Sequence, residues 1–435
     1  MFSNDRARRA LWSLAFVGLT PAALLAATHP AVSPSIEPPA AADLDHAPPS
    51  LTAALRRTWQ RSPAVQAAEA KLASTEARAL AAAQPLYNPE LDVTAQNADV
   101  NTRSIGVSQA IDWAGKRGAR SDAATAATRA VRAEREQVRQ RIALQWLSGF
   151  SAYRVASEQV DLGARRVALL GQFAALAQRR LAAGDIPPLE RDLAELALQE
   201  AHAQQAGLLA DQAKARQSFS AVSADDTHSL PELPPALPPA VAIPLAAAAV
   251  EALPALQLAA AEVVAADARI IVAERDRRPD PIISLTGGRV TNGPISDKVV
   301  GINVRIPLFV RNDYSAEVTA ARATADEAAA LLHDRRRQAV AEAEQAGTSY
   351  NALHEAWRRW QRSRVASVDE RATLLQRVWE AGELSTADYL VQLKQNIDTE
   401  LAACGLRARA WQAFADWLGA SGDLDRWLDT DGSVR

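Results

Sequence analysis

The chain has 435 residues and a formal net charge of −3, and 48% of its residues are hydrophobic although only 5% are aromatic. This balance gives no sign of the basic surface that binds nucleic acid, so nucleic acid is not expected as a partner. Alanine supplies much of the apolar character, which favours closely packed long helices over a bulky globular core.

The N-terminus has the pattern of an export signal. Arg6, Arg8 and Arg9 precede an apolar run over residues 10–27, which is too short to anchor as a membrane helix. We expect cleavage near Ala26 or Ala27, which makes residues 1–27 the signal peptide and residues 28–50 a flexible leader rich in proline and alanine. The sole cysteine, Cys404, is far from the signal, so neither a disulfide nor an N-terminal lipid is expected.

Residues 51–222 are predicted to form a first repeat of helix, strand, strand and helix. Two stretches of about ten residues alternate apolar and polar side chains, with Leu91 and Val93 opposite Asp92 and Thr94. From about residue 119 to residue 182 there is no proline, and a helix of that length extends roughly 95 Å. The helix turns at residues 183–188 and returns to about residue 221.

A proline-rich segment, residues 223–244, is predicted to be an extended connector outside the helices. Residues 245–418 then form a second repeat. Its long helix runs from about residue 315 to residue 381, turns at Gly382 and returns to about residue 417. Residues 419–435 are expected to be a loosely held tail.

The two repeats share landmarks about 195 residues apart. Asn88-Pro89-Glu90-Leu91 begins an alternating stretch in the first repeat, as Asp280-Pro281-Ile282-Ile283 does in the second. The turn Ala183-Gly184-Asp185-Ile186 corresponds to Ala381-Gly382-Glu383-Leu384. Their common order and spacing indicate a duplicated unit.

The four strands have the length and period of strands that cross a lipid bilayer. Alternation alone fits a half-buried soluble sheet equally well, but the export signal and the lack of a short amphipathic element to cover the sheet favour lipid. Four strands cannot close a barrel, and the backbone N–H and C=O groups at an open sheet edge would have no hydrogen-bond partner in lipid. Oligomerisation is therefore expected. The residues predicted to face lipid are Leu91, Val93, Ile105, Val107, Ile283, Leu285, Val300, Ile302 and Val304.

From about residue 51 to residue 418 the chain resembles the TolC-like outer-membrane efflux protein family, and within it the CzcC-like heavy-metal efflux branch. The sequences that carry the resemblance are Asn88-Pro89-Glu90-Leu91, Ile111-Asp112-Trp113-Ala114-Gly115-Lys116-Arg117, Ile306-Pro307-Leu308-Phe309 and the two glycine turns. The Gly-Lys-Arg sequence after the second strand is typical of the metal branch.

The resemblance implies a mainly α fold with a membrane β-barrel. Three chains would form a homotrimer in which long helical hairpins build an α-barrel across the periplasm and four strands per chain contribute to a twelve-stranded barrel in the outer membrane. It also implies two protein partners, a periplasmic adaptor and an inner-membrane pump of the resistance-nodulation-division class. Such a duct is not an enzyme, and no cofactor is expected.

The resemblance also suggests residues at the periplasmic mouth. Glu190 and Asp388 each lie six residues after a turn glycine, where a carboxylate ring would favour cations. Acids near a helix start are also favoured for purely structural reasons. A further acid that some relatives have one turn later is replaced here by Val391.

The two turns are candidates for contact with the adaptor. Their expected contact residues are Gly184, Ile186, Gly382 and Leu384, with the isoleucine and leucine as exposed apolar side chains. Simple loop closure explains the same glycines.

No metal site is predicted, because the six histidines are scattered and no His, Cys and carboxylate set has the spacing of a site. The predicted function is an outer-membrane exit duct for divalent heavy-metal cations. One alternative is a duct for drug efflux or polypeptide secretion, and another is a soluble periplasmic coiled-coil scaffold or adaptor.

Overall fold

A computed structural model describes residues 46–223, 230–234, 236–363 and 368–428. The predicted signal peptide and most of the leader lie outside these residues, as do residues 224–229 of the connector and 429–435 of the tail.

The first repeat contains the predicted strands and long helices. Its elements are α1 (Pro49–Arg61), α2 (Pro63–Ala82), β1 (Glu90–Gln96), β2 (Val100–Ala110), α3 (Lys116–Ala183) and α4 (Pro188–Ser220). Three of the four helices begin with proline, whose missing N–H is not needed in the first helical turn. At 68 residues, α3 is about 100 Å long.

The second repeat has the same order of helices and strands. Its elements are α5 (Ala247–Glu251), α6 (Pro254–Asp276), β3 (Ile282–Asn292), β4 (Ile295–Arg305), α7 (Ser315–Ser363), α8 (Val368–Glu380), α9 (Thr386–Ser421) and α10 (Leu424–Leu428). The predicted single helix over residues 315–381 corresponds to α7 and α8, and residues 364–367 between them are outside the described part.

The four strands form one antiparallel sheet in the order β1-β2-β3-β4. Within the chain, β2 and β3 pair over their full lengths and so join the two repeats, whereas β1 and β4 each keep one unpaired edge. This arrangement confirms the expected fold class of long helical hairpins with four strands per chain.

An aromatic core holds the middle of the helices together. Trp146 stacks on Phe150 with ring centroids 5.0 Å apart, and Trp411 and Phe414 lie in the same cluster of buried residues. These large side chains compensate for the alanine-rich helix faces, where small residues bury little area each.

The sequence analysis placed the connector outside the helices, whereas in the structure it packs against them. Leu233, Leu237 and Val241 are buried in the aromatic core. Asn351 of α7 accepts a hydrogen bond from the Val241 N–H and donates one to its carbonyl, each 2.9 Å long. The connector is therefore extended but packed, because its apolar residues are covered and its backbone is paired.

The expectation of a loose tail after Leu418 is also wrong for the residues that are described. In α10 the side chains of Leu424, Trp427 and Leu428 are buried, and the Trp427 ring packs edge-on against Phe414 at 5.3 Å. The Ala47 N–H donates to the Trp427 carbonyl over 2.7 Å, so the end of the predicted leader is fixed as well.

Candidate functional site

One face of the sheet carries a broad apolar band. The register places Leu91, Val107, Leu285 and Ile302 in one row across the four strands. Directly paired residues of antiparallel strands share a face, so neighbouring rows extend the same surface. The nine residues predicted to face lipid all lie on this face, and their exposed fractions range from 46% to 78%. Contact with lipid itself stays a prediction.

The opposite face carries mainly polar and small side chains, with Ile282, Val290 and Val299 among the apolar exceptions, and parts of it are closely packed. Gly106 lies opposite Thr286, and Gly288 lies opposite Ser104. A Cβ atom on Gly288 would stand 2.5 Å from the Arg103 carbonyl oxygen. The polar face therefore has no room for a larger side chain at this position.

The Asp112 to Arg117 sequence forms the junction between β2 and α3. The Asp112 carboxylate accepts hydrogen bonds from the Lys116 and Arg117 N–H groups, both 2.8 Å long, and so caps the helix. Gly115 has a left-handed φ of 72°. Burial alone would raise the pKa of Asp112, but the N–H groups of Arg117, Lys116 and Gly115 outweigh it, so that pKa lies below its ordinary value.

A buried ion pair ties this junction to the second repeat. Lys116 Nζ lies 2.9 Å from Asp280 Oδ2, and the two side chains are only 8% and 5% exposed. Tyr87 donates its hydroxyl to the same oxygen over 2.6 Å, and this hydrogen bond raises the pKa of Tyr87 to about 12. The sequence marked both the Gly-Lys-Arg motif and the Asp280-Pro281 landmark, but it gave no signal that Lys116 and Asp280 form a pair.

The two turns at the ends of the long hairpins are equivalent in geometry. Gly184 and Gly382 have left-handed φ values of 82° and 76°. The N–H of the next residue reaches back to a helix carbonyl in both turns, from Asp185 to Arg180 over 2.9 Å and from Glu383 to Val378 over 3.1 Å. This is the helix ending for which glycine is preferred, and it confirms both predicted reversals.

Ile186 and Leu384 are less exposed than the sequence suggested. Both are half-buried and pack against a second apolar cluster at this end of the helices, which we call the tip cluster (Phe173, Trp379, Tyr389, Leu393 and neighbours). The exposed apolar side chains near the turns are instead Leu189, at 66%, and Val391, at 62%. Sequence analysis could not tell the half-buried pair, Ile186 and Leu384, from the exposed pair, Leu189 and Val391. The burial of each side chain depends on which helix lies alongside it.

Glu190 and Asp388 both have local partners. The Thr386 hydroxyl donates to the Glu190 carboxylate and accepts a hydrogen bond from Trp379 Nε1 over 3.1 Å, so Glu190 links α4 to the start of α9. Asp388 accepts from the Ser385 hydroxyl over 2.7 Å and donates its N–H to the same oxygen, so Ser385 caps the start of α9. A role for either carboxylate at an aperture stays a prediction.

A charged layer lies beside the tip cluster. Arg166 of α3 is buried and pairs with Asp398 of α9 over 2.9 Å. Lys394 pairs with Glu200, and that hydrogen bond holds the pKa of Glu200 below its ordinary value. The layer joins α3, α4 and α9.

Two kinds of feature are absent from the described residues. No helix there is both long enough and apolar enough to span a membrane. No group of three or more His, Cys, Asp or Glu side chains in the same part of the chain could hold a metal ion.

Comparison with solved structures shows the fold. The chain is similar to the Campylobacter jejuni CmeC outer membrane channel, with a TM-score of 0.69 and 13% identity over 89% of this chain and 91% of that one. It is also similar to a membrane protein from Pseudomonas aeruginosa, with a TM-score of 0.68 and 18% identity over 86% and 93% of the two chains. The fold is that of the outer-membrane channels.

Sequence comparison finds similarity to one protein family over part of the chain. Residues 245–420 match the model of the outer membrane efflux protein family. The cobalt-zinc-cadmium resistance protein CzcC of Cupriavidus metallidurans is 28% identical over 277 residues, which are 62% of this chain and 66%, just under two thirds, of that protein. These similarities cover part of the chain and agree with the resemblance to outer-membrane efflux proteins that the sequence motifs predicted. The match of residues 245–420 to a family of efflux proteins is consistent with the expectation that the chain is not an enzyme.

Proposed function

We propose that three copies of this chain form an outer-membrane duct that exports divalent heavy-metal cations. The observation that carries the proposal is the exposed apolar face of the sheet, whose second strand leads directly into α3, a helix about 100 Å long. Such a chain places strands in lipid and extends a helical conduit into the periplasm.

The open edges of the sheet support the trimer. In lipid, the unpaired backbone groups of β1 and β4 would each cost several kcal/mol without a partner strand. Pairing β4 of one copy with β1 of the next satisfies both edges. Three copies of four strands give the expected twelve-stranded barrel, which exceeds the roughly eight strands of the smallest membrane barrels.

We assign the helical tips to contact with the partner proteins. We place a periplasmic adaptor at the turns around Gly184 and Gly382, with an inner-membrane pump of the resistance-nodulation-division class beyond it. Leu189 and Val391 add exposed apolar surface beside the turns and so extend the proposed contact. Glu190 and Asp388 are proposed to give the mouth a negative potential that favours cations.

Similarity to CzcC supports the choice of cargo. We assign the selection of the metal to the pump and adaptor, and to this chain a water-filled exit.

The test uses a strain without this chain, complemented by the wild-type protein. We expect the deletion to increase sensitivity to zinc, cobalt or cadmium, with drug sensitivity unchanged and growth restored by complementation. Sensitivity to drugs alone would support the alternative duct for drug efflux. Signal-processed protein that appears as a soluble monomer or dimer, instead of a trimer in outer-membrane fractions, would support the scaffold.

A further inference from the structure

Three cationic side chains lie next to one another on the apolar face of the sheet. The register pairs Arg103 with Arg289 and Arg289 with Lys298. All three side chains are exposed. They are on the face that carries Ile105, Leu285 and Val300, because they lie two or four residues away from these along the same strands. We call these three residues the basic row.

No acidic side chain forms an ion pair with the basic row among the residues that the structure describes. On the same face its neighbours are Ala95 in the row itself and Asn101, Thr291 and Ser296 in the next row, all uncharged. Asp297 pairs with Val290 and so lies on the other face. Neither Asp297 nor Asp99 of the first turn forms an ion pair with the row in the part of the chain that the structure describes.

An external anion would offset the repulsion between the three neighbouring cations. Like charges directly opposite each other on adjacent strands are destabilising, since their Cβ atoms are only about 5 Å apart. Arginine presents a planar set of N–H donors that matches the oxygens of a phosphate, and lysine acts as a point charge. Two arginines and a lysine side by side therefore form a surface suited to phosphate.

The position of the row identifies the source of the phosphate. It lies at the end of the strands that carries the turns, whereas the long helices leave from the opposite end. Arg289 lies six positions after Ile283 along β3, and this separation is about 20 Å at ~3.3 Å per residue. The apolar rows fill that distance, so the basic row is at the boundary of the lipid-facing band farthest from the helices.

We propose that the basic row binds the phosphate groups of phosphorylated lipid in the outer leaflet of the outer membrane. The proposal rests on the proposed barrel, in which the apolar face is in lipid and the helices are in the periplasm. In a trimer the row recurs three times around the barrel and fixes its depth and its lipid neighbours. A polar contact at this boundary also marks where the hydrocarbon layer ends.

The experiment measures lipid bound to the full-length protein after extraction from outer membranes in mild detergent. Lipid A is the probe, and native mass spectrometry counts the bound molecules per trimer during a titration. The variant is Arg103→Gln with Arg289→Gln and Lys298→Gln. Each cation near an anionic lipid surface contributes about a five-fold change in affinity, so we expect affinity for lipid A to fall on the order of 100-fold. Affinity of the wild-type protein should also fall as salt rises.

A matched variant controls for the change in net charge. Arg56→Gln with Lys214→Gln and Arg216→Gln removes three exposed cations from α1 and α4, and its lipid A affinity should equal that of the wild type. Equal affinity of the basic-row variant and the wild type, or an equal loss in the control, would overturn the proposal. Equally strong binding of inorganic phosphate would assign the row to a free anion instead of a lipid.

The result is separable from the proposed duct function. A basic-row variant that remains an outer-membrane trimer but loses lipid A supports both proposals. A wild-type protein found as a soluble monomer refutes the duct, whatever its affinity for lipid.

Discussion

At the scale of single residues, the junction shows why the Gly115-Lys116-Arg117 sequence occurs where it does. Gly115 takes the left-handed conformation, which places the next residue at the first turn of α3. Lys116 then reaches Asp280 at the entry to β3 and forms a pair almost fully removed from water. The motif is therefore a structural tie between the two repeats at the point where strands become helices.

Removing one partner of this pair should destabilise the protein. Lys116→Met leaves a buried carboxylate with only Tyr87 as a partner, which costs about 3–5 kcal/mol. The double variant with Asp280→Asn should recover much of that loss, because no uncompensated charge is left. The measurement is the thermal unfolding midpoint of the solubilised protein.

Arg120→Gln is the control for this prediction. It breaks the pair of Arg120 and Asp276, whose side chains are 44% and 37% exposed, and should cost less than about 1 kcal/mol. A similar midpoint for Lys116→Met and Arg120→Gln would contradict the assigned role of the buried pair.

A second residue-scale prediction separates charge from hydrogen bonding at the tips. Glu190→Gln removes the charge but keeps an oxygen that accepts from Thr386, whereas Thr386→Val removes the donor and keeps the charge. If Glu190 contributes to a carboxylate ring, the first variant lowers cation selectivity in planar bilayers and the second leaves selectivity intact. Unchanged selectivity in Glu190→Gln would leave the carboxylate with a structural role only.

At the scale of elements, the sequence predicted the strands and helix ends that depend on local chemistry. Strands of period two and helices ended by Gly184 and Gly382 are set by residues close together in the chain, and the structure contains all of them. The burial of Trp427 and Leu237 was missed because the cluster that covers them is assembled from residues as far apart in sequence as Leu51 and Trp411. The half-burial of Ile186 and Leu384 was missed for the same reason.

The sheet offers a prediction at this scale. Gly288→Ala would place a Cβ atom against the Arg103 carbonyl and the Ser104 Cβ, at 2.5 and 2.6 Å, so the β2-β3 pairing must shift. Overpacking of this kind costs about 1–3 kcal/mol and should lower the yield of assembled protein in the outer membrane.

Gly287→Ala is the matched control, since a Cβ atom there meets nothing within 4 Å. Heat-resistant trimer on gels is the readout. If both variants assemble to the same extent, the close approach at Gly288 has no consequence for the sheet.

At the scale of the whole molecule, the exposed face of the sheet determines where the protein can reside. Ile302→Lys places a cation in the middle of the apolar rows, where a lipid-facing lysine costs about 2–4 kcal/mol. We expect less protein in the outer membrane and more in the periplasm. Asn303→Lys, on the opposite face of the same strand, should be tolerated, and membrane fractionation compares the two. Equal fractionation would show that the face bearing Ile302 does not contact lipid.

The two unpaired edges of the sheet also have a genetic consequence. If β1 of each copy is completed by β4 of a neighbour, every barrel contains contributions from all of its subunits. In a cell that makes equal amounts of wild-type chain and of an assembly-competent but blocked chain, only about one barrel in eight is free of the blocked chain. Such alleles should therefore be dominant, whereas alleles that destroy a strand edge exclude their product from the barrel and should be recessive.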